Sequence, residues 1–290
     1  MSGRYSPDRV RVFFDQYGEA EWDRFDRNVA SRVSLELHKR FQRRWVHPGD
    51  RVLEVGAGPG RFTIELARLG ARIFVSDISP RQLDLNRDRV AAAGYEDFVE
   101  GRRVLDVTDL SSLERASFDV VTALGGPLSY VFERAGQALD ELLSAVRPGG
   151  VVVFSVMSRW GSLHQFLDGV LEEVAKGSAE EYRVLVETGD QFGETARSTV
   201  IDLPHEMHLF TWDELERLLV TRPCRLLEAS AANFLSVRAD GALAHLGSEA
   251  WEQFLSWEEA ACRAPGALDA GTHIMVALER QPASETIVTT

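Results

Sequence analysis

The feature that most constrains this chain is the alternation that begins at Arg51, where apolar runs of strand length start to trade places with segments of helical period. That alternation is the pattern of a parallel sheet whose strands are joined by crossover helices. Val52 to Val55 reads as the first strand, and Gly60 opens a helix with Phe62, Leu66 and Leu69 on one face and Gly70 at its end. Arg72 to Val75 is the second strand. Ser79-Pro80-Arg81-Gln82 then supplies an N-cap, a proline at the first helical position and a capping-box glutamine, and Gly94 closes the helix. The third strand falls within Val99 to Val107, the fourth is Phe118 to Leu124, and the fifth is Val151 to Val156. Ala138, Leu139, Leu142, Leu143 and Val146 make a helical stripe between the last two. Thr211-Trp212-Asp213-Glu214 is a second capping box, after which Arg225 to Ala229 and His273 to Leu278 complete seven strands.

One large α/β domain accommodates this pattern within 290 residues: a doubly wound, mostly parallel sheet. Residues 1–48 precede the first strand as a helical segment, 49–158 hold the first five strands, 159–280 carry the remaining strands, and 281–290 read as a frayed tail. Arg159 to Leu209 and Ser236 to Thr272 exceed what a compact connection needs, so they are insertions after strands five and six. The formal net charge is -13, from 45 acidic and 32 basic residues, which disfavours a nucleic-acid partner. The basic tract Lys39 to Arg44 alternates with Phe41 at helical spacing and reads as a solvated face. Cys224 and Cys262 are the only cysteines, and neither sits in a His or Cys cluster. That usage points to a reducing, cytoplasmic setting and to no metal site. No apolar run is long enough to enter a membrane, and the first dozen residues, with Arg4, Asp8, Arg9 and Arg11, do not form a signal peptide.

The sharpest local motif is Val52-Leu53-Glu54-Val55-Gly56-Ala57-Gly58-Pro59-Gly60, a strand ending beside an acidic residue and turning through three glycines into a helix. Glycines let backbone approach a ligand and adopt positive φ, and a helix N-terminus presents unpaired amides. A dinucleotide turn is spaced Gly-x-Gly-x-x-Gly and cradles a pyrophosphate. Here the spacing is Gly-x-Gly-x-Gly, and Glu54 would oppose a pyrophosphate while suiting a ligand with an ammonium and a sulfonium.

From Arg32 to Met157, and more loosely in the last strand, the chain resembles the class I S-adenosylmethionine-dependent methyltransferase family, small-molecule type. The resemblance implies a Rossmann-like fold and S-adenosyl-L-methionine as cofactor, with S-adenosyl-L-homocysteine as product. It also assigns places. Gly56, Ala57, Gly58 and Gly60 with Glu54 form the cofactor turn, and Asp77 holds the ribose hydroxyls with Ile78 against the adenine. Asp106 receives the adenine amine and Val107 packs its ring, while Leu124 and Gly125, ahead of Gly126-Pro127, set the donor beside the acceptor. The N-terminal arrangement is similar to glycine-type N-methyltransferases, in which an arginine placed as Arg32 is here grips the cofactor carboxylate; the residue alone reads equally as an exposed arginine on an amphipathic helix.

The expected reaction is transfer of a methyl group to O or N of a small-molecule metabolite by in-line displacement, with the N-terminal segment as a lid and the insertions on the acceptor side. His208 and His205, ahead of the capping box, are the candidate bases, with His164 behind them, and Tyr17 and Tyr130 are the candidate aromatic walls bearing a hydroxyl. Trp22 and Trp160 could wall the same pocket or pack in the core. Two other readings stay open: a cofactor-binding regulatory subunit without turnover, and a nicotinamide oxidoreductase on the same layered fold.

Overall fold

The computed structural model describes residues 4–237 and 239–282, so residues 283–290 of the expected tail and Met1 to Gly3 lie outside the described residues. Seven strands form one sheet: β1 (Arg51–Val55), β2 (Arg72–Asp77), β3 (Val99–Val104), β4 (Phe118–Ala123), β5 (Val146–Met157), β8 (Cys224–Ala231) and β9 (His273–Arg280). The missing numbers belong to a two-stranded ribbon, β6 (Asp190–Gln191) and β7 (Met207–His208). The sheet order is β3-β2-β1-β4-β5-β9-β8. The first five strands pair in parallel and β9 pairs antiparallel to both β5 and β8.

Both faces of the sheet are covered, which is why its strands read as continuous apolar runs rather than strict alternation. Adjacent residues still part company. Val52 faces a cluster built on α3 (Val29–Arg43), α4 (Arg61–Arg68) and α12 (Ser248–Cys262), with Val33, Phe41, Phe62, Leu66 and Leu255. Leu53 faces α6 (Ala135–Ala145) and α10 (Trp212–Val220), with Leu139, Leu142, Leu215 and Leu219. The basic tract on α3 does not stay solvated: Arg40 and Arg44 pair with Glu252, Glu259 and Glu228, fastening α3 to α12 and β8.

The N-terminal segment holds α1 (Pro7–Tyr17), capped by the Ser6 side chain, then α2 (Ala20–Asp23) and a single 3-10 turn over Arg24–Asp26 before Asn28 caps α3. The Thr211 capping box forms with both of its bonds. The one expected at Ser79 does not. Ser79 Oγ accepts from the Gln82 amide at 3.1 Å, but the Ser79 amide donates to Asp77 Oδ1 at 2.8 Å. The Gln82 side chain is thereby released to donate to the carbonyls of Phe14 and Gly18, which ties the end of α1 to α5 (Pro80–Ala92).

The insertion after β5 contains α7 (Arg159–Gln165), α8 (Leu167–Ala175), α9 (Ala179–Thr188) and the ribbon, and the one after β8 contains α11 (Asp240–Leu243) and α12. Among the described residues no helix is long and apolar enough to cross a membrane.

Candidate active site

Strand order reverses between β1 and β4, and in open α/β sheets ligands bind beyond the carboxyl ends of the strands at such a point. A cavity of about 830 Å³ opens there. The turn after β1 forms one wall, with Gly56, Gly58 and Gly60 all at positive φ. Gly56 shows why this matters: a Cβ added to it would lie 2.5 Å from Pro127 Cγ, so only glycine lets the first and fourth loops close together. Asp77 and Ile78 at the end of β2, Asp106 and Val107 after β3, and Leu124 and Gly125 after β4 also line the cavity, together with Ala57 and Gly58.

Asp77 is buried, and its two oxygens accept from the Gly58 and Ser79 amides at 2.8 Å each. A carboxylate offers about four lone-pair sites, so two remain for hydroxyl donors in the cavity. Burial pushes its pKa up to about 6, against the pull of those two amides. Asp106 has one oxygen on the Thr108 amide and hydroxyl, and its Oδ2 accepts from the Tyr5 hydroxyl at 2.7 Å. Tyr5 lines the cavity from the N-terminal segment, a contact with no local signature in the sequence.

Three expected cofactor residues stand elsewhere, the first being Gly60, which does not line the cavity and backs onto Asn86 and Val90 of α5. Glu54 is buried behind the glycine turn, where its Oε2 accepts from the Thr63 hydroxyl of α4 at 2.6 Å, and it does not line the cavity. Its place in β1 points it under the loop, and burial raises its pKa to about 8. Arg32 lies over the Trp251 ring at 5.3 Å, also outside the cavity. Arg61 at the start of α4 lines it but is engaged with the Trp22 carbonyl and with Asp26, and the other arginine that lines it is Arg24, in the 3-10 turn before α3. Its Nη2 sits so close to Gly125 that a Cβ there would approach to 2.8 Å, and its Nε pairs with Glu21 at 2.6 Å. Counting back along α3 from the first strand cannot find it, because the turn carries the chain off the helix and over the cavity.

Arg24 and Phe25 also line a second space, open to solvent and about 1450 Å³ in all, bordered by the N-terminal segment, the insertion after β5 and the first residues of β9. Tyr17, His205 and Met207 line it, with Leu163, Phe166, Val170, Leu185 and Leu209 as apolar wall. The period-two alternation around β7 turns His205, Met207 and Leu209 inward, and His208 is turned away. Its Nδ1 bonds Asp190 Oδ1 at 2.7 Å and it faces Glu214, so His208 is not brought to either space. His164 is exposed, Trp160 is 45% exposed, and Trp22 is held between the guanidiniums of Arg61 and Arg89.

His205 Nε2 and the Tyr130 hydroxyl share a hydrogen bond of 2.9 Å, and the His205 ring stacks on Phe13 with centroids 4.4 Å apart. This stack joins α1, the segment after β4 and the ribbon. Burial, with Arg24 and Arg27 nearby, lowers the His205 pKa to about 3, while burial raises that of the Tyr130 phenol. Tyr17 accepts from Arg27 at 2.7 Å. Besides Arg24 Nε, which has only its ion pair with Glu21, three buried polar atoms on residues lining the second space have no hydrogen-bond partner among the described residues: Ser34 Oγ, Ser162 Oγ and His273 Nε2.

Residues 52–150 match the family model described as a methyltransferase domain. A demethylmenaquinone methyltransferase of Clavibacter sepedonicus is 34% identical over 154 residues, which are 52% of this chain and 59% of that protein. A magnesium-protoporphyrin O-methyltransferase of Rhodobacter capsulatus is 32% identical over 169 residues, 54% of this chain and 72% of that protein. Thus the chain spans under two thirds of the first relative and more than two thirds of the second. Among solved structures, the cyclase SpnF superposes with a TM-score of 0.60 at 16% identity over 96% of this chain and 98% of that one. Magnesium protoporphyrin IX methyltransferase from Synechocystis PCC 6803, with bound S-adenosylhomocysteine, gives 0.58 at 14% identity over 95% and 99%. With its glycine turn, sheet order and these relatives, the chain belongs to the class I S-adenosylmethionine-dependent methyltransferase family.

Proposed function

We propose that the chain transfers a methyl group from S-adenosylmethionine to an oxygen or nitrogen of a small molecule held in the second space. The observation that carries this reading is that the two spaces share Arg24 and Phe25, so a donor in one and an acceptor in the other would meet there. In the donor space Asp77 takes the ribose hydroxyls, Ile78 and Val107 flank the adenine, and Asp106 accepts its amine. Leu124 and Gly125 run beside the methionine portion, and the Arg24 fork holds its carboxylate.

The cofactor supplies a methyl group on a sulfonium, with a neutral leaving group. What the chain's own residues must do is align the acceptor and exclude water. Residues 1–48 act as the lid: the Phe13, His205 and Tyr130 stack is the seam along which they close on the ribbon. The residues from 159 onward shape the acceptor side. Tyr17 is a wall of that side, and His205 with Tyr130 holds the seam rather than moving protons, because a histidine with so low a pKa is a weak base. The two free thiols accord with action in a reducing cytoplasm.

Formation of S-adenosylhomocysteine from S-adenosylmethionine, followed by mass spectrometry across phenols, amines and carboxylic acids, tests the proposal. Methylated product is the expected result. The fold of this family also carries a cyclase, so cofactor binding without product across the whole panel would overturn the assignment in favour of a non-transferring role.

A further inference from the structure

We propose that the acceptor is an apolar molecule bearing an oxyanion, a carboxylate or a phosphate, and that Arg27 and Arg197 at the mouth of the second space hold that anion. The inference rests on the reading of this space as the acceptor site. In a chain with a net charge of -13, the space is lined by Arg24, Arg27 and Arg197 and, among the described residues, by no Asp or Glu. Such a lining favours an anion over an ammonium.

The three arginines are not equivalent. Arg24 pairs with Glu21 at 2.6 Å on the donor side, Arg27 donates to the Tyr17 hydroxyl at 2.7 Å, and Arg27 and Arg197 are exposed at the surface. Planar forks of this kind match the two oxygens of a carboxylate or phosphate. Behind them Leu163, Val170, Leu185, Met207 and Leu209 form a wall with no charge, which suits an apolar body. At the inner end Ser34 Oγ, Ser162 Oγ and His273 Nε2 are buried without partners and leave hydrogen-bonding capacity for a polar group on the same molecule.

The test uses the full chain saturated with S-adenosylhomocysteine and calorimetric titration with three probes of one shape: naphthoate, naphthyl phosphate and naphthylmethylammonium. At least one anion should bind about tenfold or more tighter than the cation, the size of one charge-assisted hydrogen bond. The double variant Arg27→Gln/Arg197→Gln should lose that preference, and Arg27→Lys/Arg197→Lys should keep part of it. The ratio of carboxylate to phosphate binding names the source of the anion. A cation bound as well as the anions, a preference that survives the Gln variant, or no binding by any probe overturns the proposal. Failure of S-adenosylhomocysteine itself to bind is seen first, in a separate titration, and counts against the function assigned above; the probe series is then read on the free chain.

Discussion

Glu54 gives this protein a pH-dependent weakness beside its cofactor turn. The carboxyl is buried under the loop, and its pKa rises from the ordinary 4.5 to about 8, first by burial, with Asp77 adding to it and the Thr63 hydrogen bond opposing. A carboxyl whose folded pKa lies above its unfolded value keeps its proton in the native state while the unfolded chain has released it. Stability is therefore unaffected below pH 4.5, falls as pH rises through the interval up to about 8, and levels off above it. The slope is about 1.4 kcal/mol per pH unit, which makes about 4 kcal/mol between pH 5 and 8. For a domain of this size that corresponds to a Tm change of about 10 °C. Glu54→Gln keeps an acceptor for Thr63 and removes the titration, so its Tm should be flatter across this range than the wild type's. Differential scanning calorimetry of both proteins from pH 5 to 9 isolates the effect, because the remaining charges are common to the two. Parallel profiles would refute the assignment of a buried, protonated Glu54.

Three further outcomes follow from the site. Asp77→Ala should weaken S-adenosylhomocysteine by ~2–4 kcal/mol, since two hydroxyl hydrogen bonds to a charged acceptor are lost. In the wild type, affinity should fall as pH drops through about 6, where the Asp77 carboxylate takes a proton, and calorimetry that finds wild-type affinity in the variant places the ribose elsewhere. Arg24→Lys should raise the Kd for the cofactor by about tenfold, the size of one charge-assisted bond, while Arg32→Lys leaves it unchanged; the reverse ranking in the same titration restores Arg32 to the site. Deleting residues 1–28 should abolish turnover while thermal unfolding stays cooperative, because the sheet keeps both of its covering layers; full activity in the truncated chain would strike the lid from the account.

The seven strands and the glycine turn were legible because each depends on residues close together in sequence: apolar runs of strand length, caps and glycine at positive φ. What was not legible depends on register between distant segments. The ribbon pairs Asp190 with His208 through only two residues per strand, too short to leave a periodic trace, yet it decides that His205 faces inward and His208 outward. Tyr5 on Asp106, and Arg24 in place of Arg32, are fixed by how the N-terminal segment folds back over the sheet. Glu54 shows the complementary error: its type suited a cationic ligand, but the strand's twist buried it behind the loop.

Arg159 closes the long insertion like a clasp. Its buried guanidinium donates to the carbonyl of Thr188 at 3.1 Å and to Glu214 at 2.7 Å, so the chain leaving β5 is fastened to the chain returning from α9. Between those points, α8 buries no residue and α9 buries only Leu185. Residues 166–187 are thus a cassette hung on a closed ring. On the reading of the second space as the acceptor site, exchanging or lengthening them should spare the donor half and change only the part of the acceptor wall made by Phe166, Val170, Tyr182 and Leu185.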